Sequence, residues 1–329
     1  MLPFATRYPS SHGLEAARRP RSVRAACFSL VAATALSAGA LFPQHVSTAT
    51  AVKEAPDAVS AAASLPHGRA LLRALAGGAL LAALAVAVRT LIRRPSLDRT
   101  WDEDVGVITP VVNRPDGSIV FSRVRQWTYT RGAVTSKHYF EGVYDPDDVI
   151  SLWLYEQVLG LGGRIAHTFL VFEFPEAYGA GRWLGLSVEA RREVGETYAL
   201  LGGMLRAFEM AHVWAVEDDL VRRRVEYLDY PLTRYRVTIP ADQVASLFRQ
   251  FAAETKELAA VPQWYNTLTK NCTSVLIRYV NTANPGAIPW HYSFVLTGVS
   301  DSYLTRLGYV DAASAEPITR ASLAVAPLR

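Results

Sequence analysis

An α+β fold, with an antiparallel sheet packed against helices, is what this chain of 329 residues predicts. Three observations carry the prediction. Strand-like stretches come first and helix-like ones last, the order of α+β proteins rather than of alternating βα units. Residues 165–174, a turn-rich stretch over 175–181 and Trp183–Arg191 together read as an antiparallel hairpin. Val244, Leu247, Phe248, Phe251 and Leu258 recur at helical spacing, which predicts a helix over Ala241–Ala260.

Taken in order, residues 1–24 are Arg-rich and read as a disordered basic terminus. The uncharged run 25–42 is 18 residues long, a transmembrane helix or the apolar core of an export signal. Residues 43–68 are small and polar, a linker by composition. A second apolar run over 70–92 is expected to span a membrane, with Arg73 and Arg89 snorkelling and Arg93 and Arg94 as interfacial anchors. From about residue 97 to 315 the chain reads as a globular domain, followed by a tail over 316–329. Within it, 118–129 alternates as a strand, 149–159 reads as an apolar buried strand, and 208–216 and 230–239 are further strand candidates. In 165–174, His167 shares a face with Phe169, Val171 and Glu173, while Thr168, Leu170, Phe172 and Phe174 share the other. His138 falls in a loop-like polar stretch.

Charge narrows the function classes. Residues 1–100 carry 12 Lys/Arg against 4 Asp/Glu, and the remainder 22 against 26, so the basic character belongs to the N-terminal segment. The globular domain has no basic field for nucleic acid, and no nucleic-acid partner is expected. Basic residues before the first run and after the second describe a hairpin with both ends cytoplasmic; the second span alone places the domain outside, and the orientation stays open. Only two cysteines are present, Cys27 and Cys272, too few for a disulfide framework. There is no CxxC pair and no clustered His/Cys set, so no metal and no cofactor is implied.

The stretch around Cys272 concentrates the chemistry. Val275, Leu276, Tyr279 and Val280 form one apolar stripe at helical spacing, and Thr269, Lys270 and Asn271 before it suit a turn and a cap. Cys272 is therefore expected in the first turn of a helix. Unpaired N–H groups there favour a thiolate and could hold an oxyanion, with Asn271, Thr273 and Tyr265 as oxyanion or supporting groups. Its polar neighbours are not those of an inert core thiol. Among seven histidines, His167 sits in the strongest strand, where the neighbouring strand offers Ser187 and Glu189 to fix its tautomer. Glu173, on the same strand as the histidine, is a weaker third candidate, and a satisfied core histidine is the competing reading of His167.

The motifs Arg99-x-Trp101, Ala166-His167-Thr168-Phe169-Leu170-x-Phe172 and Leu186-Ser187-Val188-Glu189-Ala190-Arg191-Arg192-Glu193 run in a fixed order along the chain. They continue in Tyr265-Asn266-Thr267-Leu268-Thr269-Lys270-Asn271-Cys272-Thr273, Pro285-x-x-Ile288-Pro289-Trp290 and Gly298-x-Ser300-Asp301. Over roughly 97–312 this resembles the family called DUF4105, the Lnb N-terminal periplasmic domain, related to the circularly permuted NlpC/P60 (papain-like) thiol enzymes. The resemblance implies a papain-like sheet-and-helix domain in which Cys272 is the nucleophile and His167 the general base, with Ser187 or Glu189 third. It also implies acyl chemistry through a thioester, in the Lnb type transferring an acyl chain to the N-terminal amine of a lipoprotein at a bacterial inner membrane.

Three readings stay open at this point. One is a membrane-anchored cysteine acyltransferase with the bilayer, a phospholipid or a lipoprotein as partner and the domain in the periplasm. Another is an NlpC/P60-like cell-wall peptidase or amidase, and the last a non-catalytic tethered binding module with Cys272 simply packed. Elsewhere, Trp101, Arg125 and Trp127 could line a groove but read as core. Glu217, Asp218 and Asp219 read as a solvated helix start, with Arg222 to Arg224 as its solvated continuation.

Overall fold

A computed structural model describes residues 68–160 and 162–325; the basic terminus, the run 25–42 and the linker up to residue 67 lie outside the described residues. The first helix, α1 (Gly68–Ile92), has leucines on all sides, and Leu75, Leu80, Leu81 and Leu91 are exposed. Its stretch Arg73–Ile92 is 20 residues of mean hydropathy 2.0, long and apolar enough to cross a membrane. At about 1.5 Å per residue that length matches a hydrocarbon core of about 30 Å. By contacts the chain divides within this helix, between Ala83 and Leu84. Everything below concerns the second unit.

That unit is built on one mostly antiparallel open sheet of nine strands: β1 (Val111–Asn113), β2 (Ile119–Thr130), β3 (Ala133–Tyr144), β4 (Ser151–Gly160), β5 (Ile165–Glu173), β6 (Trp183–Arg191), β7 (Glu209–Val216), β8 (Leu232–Val237) and β9 (Val310–Ile318). Their order is β1-β2-β7-β6-β5-β4-β8-β9, with β3 pairing β2 off that path and a single parallel bridge between β2 and β7. The central strands are buried on both faces, which is why they read as continuous apolar runs. Leu152, Leu154, Leu170, Phe172, Leu186 and Trp214 point to one face. There they meet α4 (Ala241–Ala260) and α5 (Cys272–Ala283) through Phe248, Phe251, Val275, Leu276 and Tyr279. Trp153, Tyr155, Phe169, Val171 and Val213 point to the other, covered by Leu220 and Val221 of α3 (Glu217–Arg222) and by Val225 of the turn after it. This two-residue alternation sends neighbours on one strand to opposite faces.

Where the structure departs from the sequence reading, the cause is exposure. His138 lies in β3, an outer strand paired only with β2 whose side chains are mostly exposed, so no alternation marks it. β9 is an edge strand of the same kind; it carries Pro317, which an edge tolerates. Three short helices, α2 (Leu200–Met204), α6 (Ser300–Arg306) and α7 (Arg320–Val325), are too brief for periodicity to find.

The acidic start of α3 is not solvated. Asp219 is fully buried and bidentate with Arg125, and Glu217 is buried against Arg234 and Tyr155. These carboxylates anchor the far face of the sheet. Trp127 is buried with them, its backbone N–H donating to Asp219 at 2.7 Å.

Candidate active site

The local sequence builds the start of α5 before any chemistry is placed there. Asn266 accepts from the N–H groups of Leu268 and Thr269, closing the turn, and pairs through its backbone with Lys270. Asn271 caps the helix: its side chain accepts from the Ser274 N–H at 2.8 Å, while Ser274 Oγ accepts from the Asn271 N–H at 3.0 Å. Both amide protons of Asn271 are committed, to the carbonyls of Thr267 and Phe294. Asn271 is thus a support that ties two loops to the helix, and an oxyanion is left to the backbone N–H groups of the first turn. Tyr265 is also a support, buried, its N–H on the Phe208 carbonyl and its ring edge-on to Tyr198.

Cys272 is the first residue of that helix and is only 3% exposed. It reaches the imidazole through a split in the sheet. The β5–β6 ladder runs from Glu173↔Trp183 to Phe169↔Ser187 and stops, although β5 continues back to Ile165 and β6 on to Arg191. Past that point β5 follows β4 and β6 follows β7. Backbone groups released at the split must find other partners. Thr297 Oγ1 accepts from the Ala166 N–H and donates to its carbonyl, Cys272 Sγ lies 3.9 Å from the same carbonyl, and the Thr168 N–H bonds the sulfur. The thiol therefore sits at the edge of β5, close enough to His167 for each group to feel the other's charge, even though the helix covers one face and the imidazole projects to the other.

On that other face the imidazole is held by a closed network. His167 Nε2 is 2.8 Å from Ser187 Oγ and 3.3 Å from Glu189 Oε1; Ser187 Oγ is 2.7 Å from Glu189 Oε1. Arg224 Nη2 donates to both, at 3.0 Å and 2.8 Å. Arginine can only donate and a carboxylate can only accept, so the single hydroxyl proton of Ser187 goes to Glu189. Ser187 must then accept from His167, which puts a proton on Nε2 and leaves Nδ1 for the thiol.

Electrostatics follow the same lines. Burial opposes charge on His167, but the Glu189 carboxylate and the Cys272 sulfur outweigh it and push the imidazole up to about 9. Burial raises the Cys272 thiol, yet the facing imidazolium and the Thr168 and Thr273 hydrogen bonds bring it below its ordinary value. Glu189 is half-buried, and His167 with Arg224 hold it well below the usual carboxylate range. The His167 and Cys272 shifts both favour a thiolate–imidazolium pair over the neutral pair.

His212 makes the contrast. It is fully buried, with Nδ1 2.9 Å from Thr255 Oγ1 and Nε2 3.2 Å from the Tyr279 hydroxyl. Burial and Arg278 drop it to about 3, so it stays neutral as a satisfied core residue.

Two expectations are corrected here. Glu173 does not belong to the site: it lies at the opposite end of β5, bonded to Ser151 and Arg182. Arg224 is not solvated but 1% exposed, its guanidinium 4.4 Å above the Phe169 ring. The signal for it was present in the sequence. Leu220, Val221 and Val225 form a stripe at helical spacing, and Arg224 occupies a position on it that packing alone would fill with an apolar residue.

Arg99 and Trp101 fasten the segment after α1 to the sheet. Arg99 pairs with Glu193 and Glu209, and Trp101 stacks under Arg191 at 4.2 Å.

No curated protein and no solved structure matches the chain. Residues 135–297 match the family model described as the Lnb N-terminal periplasmic domain, a stretch that contains His167, Ser187, Glu189, Arg224 and Cys272. Through that stretch the chain belongs to the Lnb N-terminal periplasmic domain family.

Proposed function

We propose that this protein is a membrane-anchored, cysteine-dependent acyltransferase of the permuted papain-like type, acting on a lipid or lipoprotein from the periplasmic side of a bacterial inner membrane. The observation that carries the reading is the Cys272–His167–Ser187/Glu189 arrangement, in which a helix-start thiol lies near an imidazole whose Nε2 is fixed by a buried hydroxyl and a half-buried carboxylate. The thiolate attacks an ester carbonyl, forming a C–S bond. The C–O bond then breaks, and the leaving alkoxide takes the proton from Nδ1 of His167. An acceptor amine next attacks the thioester, a C–N bond replaces the C–S bond, and His167 takes the amine proton as the thiolate returns. Backbone N–H groups at the start of α5 are placed to hold the oxyanion in both halves. The apolar helix α1, long enough to cross a membrane, supports the membrane-anchored part of the reading.

The test is the N-acylation state of lipoproteins in cells carrying Cys272→Ser or His167→Ala, each checked for normal protein level. Loss of N-acylation in both supports the reading. An unchanged acylation pattern sinks it, and release of muropeptides by the purified wild type would assign the same site to hydrolysis.

A further inference from the structure

Behind the thiol, on the face of the sheet covered by α4 and α5, lies a cavity of about 310 Å³. Its floor is Leu152, Leu154 and Leu170; α5, α6 and the stretch between them wall it with Leu276, Ile277 and Leu304 among others. A native core is close-packed, with few voids larger than a water molecule, so an unfilled apolar space of this size is not ordinary packing. It falls in the range of small-molecule sites, and is about twice the engineered 150 Å³ cavity that stays dry and admits benzene.

The cavity is also polarised. Three of its hydroxyl-bearing lining residues, Thr168, Thr273 and Ser300, adjoin the site: Thr273 Oγ1 is 3.0 Å from Thr168 Oγ1 and 3.9 Å from Cys272 Sγ. Behind Ser300 stands Glu156, buried on β4, at 3.3 Å. Away from Thr168, Thr273 and Ser300 the lining is mostly hydrocarbon, with Gln243, Ser246, Asn284 and Tyr309 as its other polar residues.

Such a space has hydroxyls beside a nucleophilic sulfur and hydrocarbon elsewhere, which complements a molecule with a reactive polar head and an aliphatic tail. We propose that this cavity is the acyl-chain site, holding the tail of the donor along α5 while its carbonyl passes Thr273 to reach Cys272. The proposal rests on the acyl-transfer reading and names where its substrate lies. It also explains the burial of the sulfur: the chain approaches from inside, through a wall that Thr273 shares with the thiol. Scaling from benzene in about half the volume gives room for roughly a dozen carbons. Glu156 fits this environment: burial and Asp301 push it up to about 8, so it is neutral at pH 7 and places no carboxylate charge beside an aliphatic ligand.

The test uses the full chain carrying Cys272→Ser, in detergent, so that binding is read without reaction. A photoreactive dodecanoic acid with its diazirine near the chain end is crosslinked and the adducts are mapped. The expected adducts lie on the peptides of α5 and α6 that carry Leu276, Ile277 and Leu304. Competition by unlabelled fatty acids should strengthen about fourfold per added methylene up to roughly twelve carbons and then level off. Ala283→Trp, which fills the cavity wall, should cut crosslinking more than tenfold; Leu304→Trp replaces it if the first variant does not fold. Adducts confined to residues 68–92, or cavity adducts untouched by a folded filling variant, overturn the proposal. The two readings fail separately. Cavity adducts without any acyl-Cys272 in the wild type would remove the transferase and leave the binding site, and acyl-Cys272 without cavity adducts would do the reverse.

Discussion

Replacing Glu189 by Gln keeps the shape of the side chain and removes one half-buried negative charge. Among the groups facing His167, Glu189 is the largest that favours its charged form, and it works against burial. The rise of the imidazole from 6.5 to about 9 amounts to ~3 kcal/mol of preference for imidazolium. If only a third of that is lost with the carboxylate, ~1 kcal/mol, the ratio of the thiolate–imidazolium pair to the neutral pair falls about fivefold. The assay is the second-order rate of iodoacetamide alkylation at Cys272 from pH 5 to 10, in a Cys27→Ser background so that one thiol reports. The wild type should react at a near-constant rate from below neutrality upward. Glu189→Gln should react more slowly at pH 7, by up to about fivefold, and climb toward the wild-type rate as the thiol itself deprotonates. Identical profiles would refute the claim that Glu189 charges the histidine. A variant that fails to fold is replaced by Ser187→Ala, which cuts the shorter His167 contact and leaves the carboxylate in place.

The remaining predictions concern pH and packing. His167 lies above its unfolded 6.5, so its share of stability is whole below that value and fades as pH rises through about 9. Cys272 lies below its unfolded 9.0, so the thiolate's share is whole above 9.0 and is lost as pH falls through the lowered folded value. Activity should therefore be bell-shaped with its upper limb near pH 9, and because the two shares run in opposite directions below 9 the melting temperature should change little between pH 7 and 9. Arg224→Met removes the guanidinium that bonds Ser187 and half-buried Glu189 and should cost about 1.5–3 kcal/mol in denaturant unfolding of the domain. Asn271→Ala removes a cap worth about 1 kcal/mol and two loop ties, and hydrogen exchange should rise first in 266–271 and 291–295. Phe248 touches the rings of Phe121, Tyr144, Phe172, Phe174 and Trp214, so Phe248→Ala should destabilise by about 3–5 kcal/mol with Cys272 reactivity retained in the folded fraction.

What could be read from the sequence follows burial. β4, β5, β6 and β7 are packed on both faces and announce themselves as apolar runs, and the twenty residues of α4 show their period plainly. β3 and β9 are outer strands whose residues answer to solvent more than to packing, so their identity comes from the partner strand and not from their own pattern. For the site, Cys272 was legible through the cap before it and the stripe after it, and the pairing of His167 with Ser187 and Glu189 through strand register. Arg224 was hidden by its neighbours. In a run of three arginines, Arg222 pairs with Asp218 and Glu226 and Arg223 with Asp104, while Arg224 alone turns inward. Helix phase and not composition selects it. The split between β5 and β6 has no signature in either strand, because it arises from two neighbours diverging. The cavity is illegible for a similar reason: it is the space between several elements, and each of its walls reads as ordinary core.

The most direct measurement is the intact mass of the full-length protein after brief incubation with phospholipid and no acceptor amine. The account predicts a single acyl addition that neutral hydroxylamine removes, that maps to the peptide containing Cys272, and that is absent from Cys272→Ser. An unmodified protein whose Cys272 reacts with iodoacetamide no faster than a free thiol near neutral pH would contradict it.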